Sequence, residues 1–180
     1  MSGADTLPAG VPVALVPGVR ALLPENASLT DPVADLRAAC LAAVARLGSR
    51  VRVHASDAGG ERVARSLVAA AGAEVVTPDA ADSATGTLVI GNGSAKRTEK
   101  APGHLDERAR DFDSALSADL GSAEPDLARE LWADVGALAL LVGWSLSDAD
   151  VLYDDDPYGV QCWVAIWERP VKPHSRRIDR

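Results

Sequence analysis

Residues 88–113 read LVIGNGSAKRTEKAPGHLDERARDFD: an apolar run, a glycine-rich polar loop, and the start of an amphipathic helix. Residues 87–90 are apolar on both faces, the pattern of a strand covered from two sides. Beyond the loop, Leu105, Ala109, Phe112, Leu116 and Leu120 recur at helical spacing. Asp106 and Glu107 fall in the first turn, where the helix dipole favours acids, and Gly121 closes the run.

The segments on either side repeat this grammar. Residues 11–16 form a short apolar run that carries Pro12 near its start and stops at Pro17-Gly18, so a first strand is predicted there. Asp31-Pro32 has the form of a helix start, an N-cap aspartate followed by proline where the missing donor costs nothing. Leu36, Cys40, Val44 and Leu47 then share one face, and Gly48 ends the helix. Residues 50–54 (RVRVH) alternate as a strand does. Residues 56–60 turn into a second helix marked by Val63, Leu67 and Ala71 and closed by Gly72, and residues 73–76 give a brief strand. Pro125 opens a further helix in which Leu127, Leu131, Val135, Leu138 and Val142 share a spacing. Residues 151–153, an acidic bend at Asp154-Asp155-Asp156-Pro157, and a last strand over residues 160–167 complete the chain.

Strands alternating with helices predict an α/β layered domain with a mainly parallel or mixed central sheet flanked by helices. The expected division is a flexible N-terminus over residues 1–10, one domain over 11–169, and a basic tail over 170–180. At 180 residues, one core is the default. In such sheets ligands sit beyond the carboxyl ends of the strands, which makes residues 54–57 and 91–103 the candidate cleft positions.

Composition narrows the function. A net charge of −8 argues against nucleic-acid binding, which depends on neutralising phosphates. No stretch approaches the roughly 18 apolar residues of a membrane span, and no basic-then-apolar leader opens the chain, so a cytoplasmic protein is expected. Cys40 and Cys162 are too few for a disulfide framework and fit a reducing compartment. In residues 160–167, Val160, Cys162, Val164 and Ile166 share one face and Trp163, Ala165 and Trp167 the other. The tryptophan face suits either a buried core or a homodimer through Trp163 and Trp167.

The loop GNGSAKR invites a phosphate-binding reading, but the Gly-Lys-Ser/Thr ending of a phosphate loop is absent, and Lys96 stands where a dinucleotide fingerprint needs its third glycine. Lys96, Arg97 and Lys100 form a basic cluster in an acidic chain. It could take a small anion, with Asn92 and Ser94 beside it, or pair with Glu99, Glu107 or other local acids. Asn92 and Ser94 also suit a purely structural role, bonding their own backbone.

The longer run GNGSAKRTEKAPGHLDERARDFD, with PYGVQCWVAIW at residues 157–167, resembles the small actinobacterial branch of the class III extradiol ring-cleavage dioxygenase family, the LigB-like proteins. In that branch a motif close to GDGSARRTEKAPGYLDERA follows a core strand. ALVPGV at residues 14–19 is a third, weaker match. The resemblance implies ferrous iron held by two histidines and a glutamate, a catechol on the metal, and a further histidine as acid/base. The matching position for the first histidine is Val11, and the acid/base position falls on Ala95 after Ser94, so neither can perform its role. His54 stands about where a second ligand is expected.

No cofactor is therefore expected unless Fe(II) or Zn is held by a rebuilt set of His54, His104 and Asp57 or Asp156. Candidate catalytic residues are His54, Asn92, Ser94 and His104; candidate ligand-binding residues are Asn92, Ser94, Lys96 and Arg97. His174 lies in the tail. The functions to be separated are a LigB-like protein that has lost its iron, with an unknown small-molecule ligand; a metal-dependent dioxygenase acting on a catechol or aminophenol; and a metal-free binder of a small anion.

Overall fold

A computed structural model describes residues 7–27 and 29–168. Most of the predicted N-terminal segment, the whole basic tail and His174 lie outside the described residues. The strands are β1 (Val13–Val16), β2 (Arg50–His54), β3 (Glu74–Val75), β4 (Gly86–Ile90), β5 (Asp150–Asp155) and β6 (Cys162–Trp167). They form one six-stranded sheet in the order β3-β2-β4-β1-β6-β5. The first four are parallel; β6 runs antiparallel to β1, and β5 antiparallel to β6. The sheet is thus mixed, as predicted.

The period-two rule of a strand sorts side chains into two cores. Ala14 and Val16 of β1, Leu88 and Ile90 of β4, and Cys162, Val164 and Ile166 of β6 face one way. They pack against α1 (Ala34–Ala45) and α2 (Ala58–Ala70). Val13, Leu15, Val89, Trp163, Ala165 and Trp167 face the other way, toward α3 (Ala109–Ala118), α4 (Pro125–Glu130) and the 3-10 turn Ala137–Leu141. Trp163 and Trp167 are buried in this second core of their own chain, where Trp144 meets Trp167 edge-on at 5.3 Å. That is the core alternative for the tryptophan face, and it leaves neither indole exposed for pairing with a second copy. Both sheet edges are blunted: β3 is two residues long, and β5 carries Asp150, Asp154 and Asp155.

Three helix predictions need correction. Asp31 caps a turn rather than α1: its Oδ1 accepts from the Val33 amide at 3.1 Å, and the helix starts three residues after it. The helix predicted from Leu105 begins only at Ala109, and Leu105 is half exposed. The long helix predicted from Pro125 stops at Glu130. Trp132 then takes a left-handed φ of 57°, and Asp134 joins Asn92 in an isolated antiparallel bridge. Leu131 and Leu138 are buried, but Val142 is exposed. The repeat was real for burial and misleading for helix.

Candidate functional site

Beyond β1 the chain passes to α1 on one face of the sheet, and beyond β4 it passes to α3 on the other. The neighbouring carboxyl ends of β1 and β4 therefore open the crevice where ligands bind in such sheets. Gly18 stands on one side of it and the loop 91–103 on the other. Val11, which the family resemblance matches to a metal ligand, lies before β1, at the opposite end of the sheet from that loop. The position on β1's side that faces the loop is Gly18. A Cβ there would lie 2.9 Å from Ile90 Cγ2, 3.4 Å from Asp134 Oδ2 and 3.5 Å from Gly60 Cα. The space a ligating side chain would need is already taken.

Segment 131–136 closes this crevice. Asn92 and Asp134 exchange backbone bonds of 3.0 and 3.1 Å, and Ser56 donates its hydroxyl to Asp134 Oδ1. Burial raises the Asp134 carboxyl above the usual carboxylate range, with the charge of Asp57 adding to the effect and the Ser56 hydrogen bond opposing it.

The loop itself is a keystone. Gly91 donates to Val16 O, Gly93 to Gln161 O, Ala95 to Leu131 O and Arg97 to Gly159 O, at 2.9 to 3.0 Å. Gln161 donates back to Ser94 O at 2.9 Å. The amides that would cradle an anion are committed to the protein, which removes the phosphate-loop geometry on physical grounds.

Beneath the loop lies a buried polar network. Ser94 sends its amide to Asp113 Oδ1 and its hydroxyl to Asp113 Oδ2, each at 2.7 Å. Arg97 Nη1 reaches Asp113 Oδ2 at 3.3 Å, and Arg97 Nε reaches Asp156 Oδ2 at 3.0 Å. Asp113 and Ser94 are fully or almost fully buried. Burial pushes the Asp113 carboxyl up, while the Ser94 bonds and the Arg97 charge pull it down. A Cβ on Gly93 would stand 2.4 Å from Asp113 Oδ1, so glycine is required for the loop to settle on this carboxylate.

The predicted site residues are thereby placed. Asn92 donates Nδ2 to Gly93 O at 3.0 Å, as a loop former does. Arg97 pairs with Asp113 and Asp156, not with Glu99 or Glu107. In the acidic bend, Asp156 holds Arg97, and the exposed Asp154 accepts from Gln161 Nε2 at 2.8 Å. Lys96 Nζ lies 5.6 Å from the Trp132 ring centroid, a cation–π contact.

His54 ends β2, half buried, and lines a cavity of about 480 Å³ with Arg52, Glu61 and Arg65. His104 is exposed on the far end of the loop at a left-handed φ of 59°. Asp57 caps α2, its Oδ1 accepting from the Gly60 amide at 2.8 Å. Among the described residues, no group of three or more His, Cys, Asp or Glu side chains is placed to hold a metal, so His54, His104 and Asp57 do not form one ligand set. Among the described residues, no arrangement fits Fe(II) or Zn.

Asp113 and Asp134 were missed in the sequence. Asp113 carried a signal, because it falls at i, i+4 from Ala109 on the apolar stripe of α3, where a carboxylate must have a partner.

No protein-family model matches the chain, and no curated protein matches it. No helix is long and apolar enough to cross a membrane among the described residues.

Proposed function

We propose that this chain is a LigB-like protein whose iron site has been lost and whose role is to bind a small molecule without metal-dependent catalysis. The observation that carries this reading is the crevice between β1 and β4. Gly18 and Ala95 offer no ligating or proton-transferring side chain there, and Ser94 is tied to Asp113 through both its amide and its hydroxyl. The loop that marks the resemblance serves as a structural tie. Cys40 and Cys162, both free and buried, suit a reducing cytoplasm.

The test is metal analysis of protein purified anaerobically under reducing conditions with Fe(II) supplied, alongside an oxygen-electrode screen over catechols and aminophenols. The reading expects iron and zinc far below stoichiometry and no oxygen uptake. Near-stoichiometric metal that disappears in His54→Ala, or sustained oxygen consumption with one of these substrates, defeats it.

A further inference from the structure

A second cleft lies to one side of the crevice, between residues 19–21, residues 100–102 and the turn 157–160, with a volume of about 460 Å³. That is within the range of roughly 300 to 1,000 Å³ typical of small-molecule sites. Val33, Val160 and Cys162 give it an apolar floor continuous with the first core. Arg20, Lys100 and Tyr158 stand on its rim. Among the described residues, neither the Arg20 guanidinium nor the Lys100 ammonium makes an ion pair, whereas the neighbouring Arg37 and Arg97 are both paired with acids. In a chain of net charge −8, two unpaired cations beside one apolar cleft are a specific electrostatic feature.

Both walls are fixed without a ligand. Arg37 donates to Ala21 O at 2.9 Å and to Leu22 O, while its Nε holds Asp31 at 3.1 Å, which clamps the 19–22 wall. Opposite, Gly159 donates to Asp156 O and accepts from Arg97 N, at 2.9 and 3.0 Å. Tyr158 is held at a left-handed φ of 55°, and the residue is 59% exposed. A non-glycine residue in that region costs of order 1 kcal/mol or more, and such strain gathers at ligand clamps. A preformed apolar cleft with a cationic rim selects for a ligand with one anionic head and an apolar body. The floor gives nothing to hydrogen-bond a polyhydroxylated or multiply charged molecule.

We infer that this cleft binds a small apolar monocarboxylate, its body on Val33, Val160 and Cys162 and its carboxylate between Arg20 and Lys100. The inference rests on the metal-free binding role proposed above and names its ligand class. The probes are octanoate and phenylacetate, each titrated calorimetrically beside its neutral amide, with amide-resonance shifts mapping the contact.

Saturable binding of a carboxylate is expected, with shifts at residues 33 and 160, an affinity at least tenfold weaker for the amide, and a comparable loss in the Arg20→Gln/Lys100→Gln double variant. Both substitutions are at exposed positions, and an unchanged melting temperature confirms the fold. The inference is overturned if neither carboxylate binds at millimolar concentration, if acid and amide bind equally, or if the double variant binds as the parent does. Metal-free protein that fails these titrations sinks this inference alone; iron loading through His54 with carboxylate binding intact sinks only the loss of the iron site.

Discussion

Ser94 grips both oxygens of Asp113, amide to one and hydroxyl to the other, each at 2.7 Å. A serine in an active loop keeps its hydroxyl for substrate; this one is turned inward onto a helix. The carboxylate in turn holds Arg97, which spans to Asp156, so loop, α3 and the turn after β5 are joined through one buried acid.

Asp113→Ala leaves the buried Ser94 amide and hydroxyl without their acceptor and takes from the part-buried Arg97 one of its two carboxylate partners. Removing one member of a buried charged network costs about 3 to 5 kcal/mol. Chemical denaturation monitored by circular dichroism should show that loss, while Asp113→Asn, which can still accept one bond from Ser94, should fall between. A loss within the ±0.5 kcal/mol of ordinary surface changes would show that the tie is unimportant.

Thr87 is fully buried in β4, and its hydroxyl has no hydrogen-bond partner among the described residues. Thr87→Val replaces that hydroxyl with a methyl of similar shape. The variant should be more stable by about 1 kcal/mol, because a buried unsatisfied polar group is removed. A shift of the denaturation midpoint to lower denaturant would refute this.

The Asp134 carboxyl titrates above its unfolded range because it is buried, beside Asp57. Between the unfolded pKa of about 3.9 and the raised folded value, the native state binds more protons, so its stability falls as pH rises through that window. Asp134→Asn removes the effect while still accepting from Ser56. The stability difference, variant minus parent, should grow as pH rises from about 4 and vanish below it. Urea titrations across this range read it directly, and a pH-independent difference counts against the assignment. Asp113 shifts in the same direction, so only the difference isolates Asp134.

Trp163 is 2% exposed and Trp167 6%, both in the second core. Trp163→Ala should cost roughly 3 to 5 kcal/mol, the range for truncating a large buried aromatic. A near-neutral result, with light scattering showing the parent to be a dimer that the variant dissolves, would return the side chain to an interface role.

The strands and the first two helices were legible because their information is local. In β6 the alternation of Cys162, Val164 and Ile166 against Trp163, Ala165 and Trp167 sorts itself between the two cores as the pleat requires. The fourth helix was not legible, because its interruption is imposed from a distance. Leu127, Leu131 and Leu138 keep a helical interval, yet Asp134 is drawn out to pair with Asn92 in the loop. At the site, the lack of histidine at residue 95 could be read directly. That Gly18 rather than Val11 faces the loop could not, since it depends on which end of β1 lies beside the carboxyl end of β4.

Apart from Val16, the residues that anchor the loop after β4 come later in the chain than the loop itself, among them Asp106, Asp113, Leu131, Asp134, Asp156, Gly159 and Gln161. During synthesis the amides of Gly93 and Arg97 must wait, bonded to water, until Gln161 and Gly159 have left the ribosome. Long-range contacts of this kind form late and slow folding. A chain halted before Gly159 would leave this loop without two of its anchors, open to proteases until Gly159 and Gln161 arrive.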